Sequence, residues 1–206
     1  MDFATRNPDR YLKQGESLYH AHERAERLYI VKEGKICLFK TNSEGEEITL
    51  AIATKGDVFG EMSFTAQHLR GAHAVAMEPS LVVSLKREDL QDLILSNPEV
   101  GLRLVERLSE RLRLREEQLV DLALKEVPAR LASLIVRLLD SEGLRTSEGY
   151  RLPGHYTHEQ LGTMIGAKRV AVTRAFRDLR ETGAVEVRNR TIYVTDLEIL
   201  KKAADS

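Results

Sequence analysis

Between positions 99 and 125 the chain has no proline and a single glycine, Gly101, in a run dense in Leu, Arg and Glu. That stretch constrains the fold more than any other feature. It predicts one long helix that opens after Asn97-Pro98 and is ended or restarted by Pro128 at a hinge. Val105, Leu108, Leu112, Leu119 and Leu122 follow the steps of a heptad seam, interrupted where Arg115 takes one seam position. A helix with an apolar stripe gains most of its stability from whatever covers that stripe. The covering surface is either the rest of the same chain or a second copy, and the heptad steps favour a parallel two-helix dimer.

Ahead of this helix the pattern is short apolar segments punctuated by glycine. Residues 28–31, 36–39, 48–52 and 81–85 read as strands, and Gly34, Gly45 and Gly56 fall eleven residues apart in the polar turns between them. Evenly spaced strands and turns of this kind predict a β-sandwich or barrel.

Behind it, residues 129–139 read as an amphipathic helix and 141–154 as a Gly/Ser-containing loop. Thr157 with Gln160 three residues on forms a helix-start signature. Gly166 supplies a tight turn, and 168–181 read as a second amphipathic helix whose packing face includes Val170, Val172, Ala175, Phe176 and Leu179. Two helices joined by a short glycine turn match a helix-turn-helix. Val185-Glu186-Val187 and Ile192-Tyr193-Val194 then flank Arg188-Asn189-Arg190, a hairpin with a basic tip that adds a wing. The expected architecture is α+β: a β-roll (jelly roll) over 1–97, a dimerisation helix over 98–125 and a winged helix-turn-helix over 126–206.

Charge separates these regions. The whole chain carries 31 Lys+Arg against 32 Asp+Glu, which by itself argues against a nucleic-acid partner. Yet residues 160–190 hold seven basic side chains (Lys168, Arg169, Arg174, Arg177, Arg180, Arg188, Arg190) and three acidic ones. This local excess sits on the second helix and the wing, where contacts to DNA phosphates and bases would be made. The lone cysteine, Cys37, excludes an internal disulfide, a thiolate zinc site and a cysteine-ligated iron–sulfur cluster. No apolar run approaches the ~20 residues that span a bilayer, and the first ten residues contain no apolar h-region. A cytoplasmic location without membrane association is therefore expected.

The chain from about Gln14 onward resembles the CRP/FNR family of bacterial transcription regulators. The resemblance is carried by the glycine-punctuated roll, by Gly56-Asp57-Val58-Phe59-Gly60-Glu61-Met62, by the long helix after Pro98 and by the segment from Gly166 through Lys168-Arg169-Val170 to Thr173-Arg174. It implies a homodimer with an N-terminal sensor roll and C-terminal DNA-binding domains. It also implies an activator rather than a repressor, with RNA polymerase as a partner, and a palindromic double-stranded DNA site. On the recognition helix it places base reading at Arg169, Val170 and Arg174. The two arginines lie about 140° apart around the helix, and each can make a bidentate guanine contact worth ~1–3 kcal/mol of discrimination. Relatives often carry Glu where Val170 stands; Val170 can pack only on a thymine methyl. Thr157, Lys168, Thr173, Arg188 and Arg190 are expected to contact phosphates, which position the protein without specifying sequence.

In cyclic-nucleotide-binding relatives a Gly-Glu pair holds the ribose and an Arg-Ser pair the cyclic phosphate. Gly60 and Glu61 match the first pair, next to Met62, and Arg70 can take the phosphate role. Gly71 replaces the serine, however, and Arg115 and Glu116 stand where relatives read adenine with Thr-Ser. Arg115 from each subunit is expected to approach Glu61 or Glu116 and fill the pocket with ion pairs, holding the dimer helices without ligand. The alternative for Glu61 and Arg70 is a structural salt bridge between the two. The expected protein is thus a sequence-specific regulator that needs no cofactor and no cyclic AMP, with a cyclic-nucleotide-gated regulator as the alternative. His73 is a candidate haem ligand, and His20 and His22 are candidate metal ligands of a cupin-like enzyme. A lone histidine is more often structural, and no Glu-and-His complement accompanies the pair, so neither an enzyme nor a metal site is expected.

Overall fold

The computed structural model describes residues 9–61 and 68–205. The chain divides into two compact units, Met1–Arg113 and Leu114–Ser206.

The first unit holds β1 (Asp9–Leu12), β2 (Ser17–Tyr19), β3 (Arg27–Glu33), β4 (Ile36–Thr41), β5 (Glu47–Ala53), β6 (Val58–Phe59), β7 (His73–Ala76) and β8 (Ser80–Lys86). They form two antiparallel four-stranded sheets, in the orders β1-β8-β3-β6 and β2-β7-β4-β5. Their inner faces share one core, with Leu12, Tyr29, Val31, Phe59 and Val82 from the first sheet meeting Leu18, Ile36, Leu38 and Ala74 from the second. The four expected strands are β3, β4, β5 and β8; β1, β2, β6 and β7 were not expected. The unbroken apolar run in β3 has a physical reason. Tyr29 and Val31 face the roll's core, whereas Leu28 and Ile30 face a second cluster with Leu85, Leu90 and Leu104. Leu90 belongs to α1 (Arg87–Ser96), a further unexpected element, and Leu104 to α2 (Pro98–Leu124), the long helix.

Asp121 is the one buried residue that α2 has within its own chain. The five seam residues Val105, Leu108, Leu112, Leu119 and Leu122 are all exposed, from 36% at Leu108 to 67% at Leu119. Within the first unit the roll therefore leaves Val105, Leu108 and Leu112 uncovered.

The second unit continues from the end of α2 through α3 (Val127–Glu142), β9 (Leu144–Thr146), β10 (Gly149–Arg151), α4 (His158–Ile165), α5 (Arg169–Glu181), β11 (Val185–Arg188), β12 (Thr191–Val194) and α6 (Leu197–Ala204). The segment read as a Gly/Ser loop over 141–154 contains β9 and β10, which extend the wing into a sheet of order β11-β12-β10-β9. Leu131, Ile135, Leu161, Val172, Val194 and Leu200 are fully buried between the helices and this sheet. Asp121 is buried beside Lys125 and Arg137, each 2.7 Å from one of its oxygens, and so ties the end of α2 to α3.

The turn between α4 and α5 is as tight as the sequence suggested. Gly166 adopts the left-handed conformation, and the Ala167 N–H donates to the Gly162 carbonyl at 2.9 Å. A Cβ on Gly162 would press into the Ala167 carbonyl oxygen, so the helix interior needs glycine there. Gly162→Ala is expected to destabilise the second unit by roughly 1–3 kcal/mol in denaturant unfolding.

The carboxyl of Asp121 resists ionisation through burial, but hydrogen bonds from Lys125 and Arg137 outweigh this and hold it below the usual carboxylate range. A lowered folded-state pKa gives stability that is present above the unfolded carboxylate pKa and lost as pH falls through the folded one. Asp121→Asn should therefore cost roughly 1.5–3 kcal/mol at pH 7. The gap to the wild type should narrow as the melts are repeated at acid pH.

Candidate nucleic-acid interface and effector pocket

The recognition surface is built by the amphipathic split of α5. Val172, Ala175, Phe176 and Leu179 are buried, while Arg169, Val170, Thr173, Arg174 and Arg177 are exposed. Val170, expected to share the packing face, is 62% exposed and lies with the arginines instead. A position one turn before Arg174 on the same face cannot also point into the core.

The basic groups differ in how they are engaged. Arg177 lies near Asp178 and Glu181, at 3.7 and 3.8 Å. Arg188 reaches Glu148 and, at 2.5 Å, Glu186, and it lies over the Tyr193 ring. That guanidinium also holds the Glu186 carboxyl below its usual range. Among the described residues Arg169, Arg174 and Arg190 form no ion pair, so their charges are open to a ligand. Lys168 is the exposed N-cap of α5.

The two threonines are committed locally. The Thr157 hydroxyl accepts the Gln160 N–H at 3.1 Å, while the Gln160 side chain accepts the Thr157 N–H at 2.9 Å, completing the expected capping box. The Thr173 hydroxyl donates to the Arg169 carbonyl at 3.0 Å. The wing tip is a two-residue turn with Asn189 at φ 50° and Arg190 at φ 64°. Positive φ at both central residues is the hairpin geometry that favours Asn-Gly, so Arg190 occupies a glycine position at a conformational cost.

In the first unit, Arg70 is buried at 3% exposure against the Tyr19 and Tyr29 rings, 4.3 and 5.2 Å from their centres. Its Nη1 donates to the Gly60 carbonyl at 3.1 Å and its Nη2 to the Arg27 carbonyl at 2.9 Å. Gly60 has φ +83°, and a Cβ there would come within 2.7 Å of Arg70 Nη1. Burial pushes the Tyr19 phenol above its ordinary range despite the nearby Arg70 charge, so the ring stays neutral.

Glu61 pairs with Arg111 at 3.2 Å, and Arg111 also donates to the Val58 carbonyl at 3.4 Å. One expectation is corrected by this. Glu61 and Arg70 do not pair with each other, because backbone carbonyls take the guanidinium. The arginine on Glu61 is Arg111, one helical turn before Arg115. Arg115 donates to Gln118 Oε1 at 2.6 Å, Glu116 is exposed and Gly71 half-buried, and Met62 lies outside the described residues. Arg111 was legible only as a charged residue four positions before Arg115, with nothing to mark it as Glu61's partner.

The histidines and the cysteine are held by local packing. His73 stacks on Phe39, with ring centres 5.0 Å apart, and its Nδ1 takes the Ala21 N–H at 3.4 Å. His20 packs edge-on against His73. Among the described residues no group of three or more potential ligands gathers to hold a metal. Burial pushes the Cys37 thiol up, which keeps it protonated and unreactive.

The cyclic nucleotide-binding domain family matches residues 9–97, and the Crp-like helix-turn-helix domain family matches 129–203. The chain is 33% identical over 195 residues to the cyclic AMP receptor protein of Thermus thermophilus, covering 95% of this chain and 87% of that one. The chain belongs to the CRP/FNR family. Similarity within the family is broad: the global nitrogen regulator of Synechococcus elongatus is 30% identical, covering 88% of this chain and 83% of its own. A solved CooA variant from Carboxydothermus hydrogenoformans matches with a TM-score of 0.85 at 25% identity, covering 97% of this chain and 88% of that one. As a CRP/FNR regulator the protein binds DNA, and its helix-turn-helix is the α4–α5 pair.

Two substitutions separate specificity from attachment in this regulator. Arg174→Ala is expected to reduce discrimination between operator and scrambled duplex by roughly 1–3 kcal/mol in competition binding. Arg190→Gly is expected to raise thermal stability, since glycine relieves the left-handed turn, while lowering the slope of log K against log salt by roughly 0.9 per subunit.

Proposed function

We propose that the protein is a homodimeric, sequence-specific transcription activator that binds a palindromic site without requiring cyclic AMP. The observation carrying the DNA side is the set of unpaired charges on Arg169, Arg174 and Arg190, set against paired ones on Arg177 and Arg188. Arg169, Val170 and Arg174 read bases. Lys168 and Arg190 hold phosphates, joined by Arg188 once it exchanges its carboxylates for a phosphate. Thr157 contributes through the helix start it caps and Thr173 through the recognition helix it sits in, since their hydroxyls already bond Gln160 and the Arg169 carbonyl.

Dimerisation is supported by the exposed seam of α2, from Val105 and Leu108 through Leu112 to Leu119 and Leu122. The activator role and contact with RNA polymerase rest on the family alone. So does the cytoplasmic location, alongside the fact that no helix among the described residues is long and apolar enough to cross a membrane. The protein is read as a regulator without catalytic activity.

Independence from cyclic AMP is supported by the state of the pocket. Arg70 Nη1 and Nη2 are held by two backbone carbonyls, its buried Nε has no hydrogen-bond partner among the described residues, and Glu61 is paired with Arg111. A nucleotide would have to break these bonds before making its own, so its affinity is reduced by their replacement. Arg115 and Glu116 put charge where relatives read a base. The second reading, gating by cyclic AMP, is favoured by one observation, the retained Gly60-Glu61 pair with Arg70 nine positions on. Isothermal titration decides between them. The expected result is no heat of binding at micromolar cyclic AMP and unchanged operator affinity. Micromolar binding that also tightens operator affinity would overturn the proposal.

A further inference from the structure

His158 opens α4 and faces the recognition helix rather than solvent alone. Its ring stacks on Phe176 of α5, with centres 5.0 Å apart and planes 12° from parallel. Its Nδ1 lies 2.8 Å from Thr173 Oγ1. The Thr173 hydroxyl also lies 3.0 Å from the Arg169 carbonyl, and with its proton directed there the contact to the histidine is made by a proton on His158 Nδ1. In that tautomer Nε2, on the other side of the ring from Thr173, is the nitrogen left to titrate. Among the described residues nothing bonds to Nε2.

Cations flank the ring from α5, while Glu159 follows it in the first turn of α4. Arg169 faces it from α5 and Lys168 caps that same helix. From α3, Arg130 reaches α4 only at its far end, on the Ile165 carbonyl. Without DNA, partial burial and then the Arg169 charge disfavour the imidazolium and hold this histidine below its ordinary range.

We propose that His158 is a further DNA-contacting residue, whose Nε2 takes up a proton against a backbone phosphate when the recognition helix engages duplex DNA. This rests on the reading of α5 as the recognition helix. A phosphate oxygen near Nε2 reverses the local sign: it attracts the added proton and neutralises Arg169, the group that opposed it. His158 is then charged in the complex and neutral in the free protein near neutral pH. Its clamp on Thr173 persists in both states, because Nδ1–H is a donor in each. Binding becomes linked to proton uptake, and the operator is held more tightly as pH falls. A one-unit rise in the pKa on binding corresponds to about tenfold tighter binding per subunit below both values than above them.

The test measures the affinity of the full-length protein for a duplex that it selects from a random pool, at pH 6 and pH 8 and constant ionic strength. The wild type is expected to bind about tenfold or more tightly at pH 6, and His155→Gln, a control at the wing, is expected to keep that dependence. His158→Gln should lose it while binding within a few-fold of wild type at pH 8, and His158→Arg should bind tightly at both values. In parallel, an NMR titration of the wild-type His158 ring with and without the duplex should show its pKa rising on binding. This second measurement stands even if a variant fails to fold. Wild-type affinity that is flat with pH, a dependence retained by His158→Gln, or an unmoved ring pKa would each overturn the proposal. Failure to select or bind any duplex at either pH would instead overturn the DNA-binding reading on which it rests.

Discussion

Burial of Val172, Ala175, Phe176 and Leu179 fixes the rotation of α5 about its own axis. Burial at the centre of the second unit is complete at Val172 and at its neighbours Leu131, Ile135 and Leu161. With about 100° between successive residues, this leaves Arg169, Val170, Thr173 and Arg174 no direction but outward. Electrostatics then sorts the outward arginines. Those with a carboxylate in reach are neutralised locally, and those without one remain available for a polyanion. Net charge near zero is compatible with this because only position on one helix and one hairpin tip matters to DNA.

The roll follows a different logic. Its core holds a guanidinium, which is expensive to bury without partners. Arg70 meets that cost with two carbonyls and two tyrosine rings, and Gly60 makes room for it by lacking a side chain. The same residues that resemble a phosphate site thus also serve as a structural cluster, in which the buried Nε of Arg70 alone among that guanidinium's nitrogens lacks a hydrogen-bond partner among the described residues. Arg111 does the equivalent for Glu61. Pocket chemistry inherited with a fold can persist as packing once its donors have found partners inside the chain.

Much of this was legible from sequence wherever a signal was strong and local. Thr157 with Gln160 announced the start of α4 and Gly166 the turn, because each needs a specific residue at a specific backbone position, and the wing was legible from the two short apolar runs that flank Arg188-Asn189-Arg190. The long helix was legible from the missing prolines. Elements of two to four residues, such as β6 and β10, were not, since they carry too few side chains to show a period. Helix α1 gave no N-cap bond to betray it. Helix α6 did carry a usable signal in Asp196, which accepts the Ile199 N–H at 3.0 Å. Partner choices such as Arg111 for Glu61 depend on long-range approach, 50 residues apart in the chain, which no local pattern encodes.

The central claim is that a dimer held by the α2 seam presents two copies of one arginine-bearing helix to DNA. Selection of bound duplexes from a random pool tests it most directly. The account predicts enrichment of a two-fold symmetric sequence with guanine in each half-site and half-site centres about one helical turn apart, ~10 base pairs, recovered equally with and without cyclic AMP. Enrichment of no sequence, of an asymmetric one, or of a symmetric one only when cyclic AMP is present would contradict it.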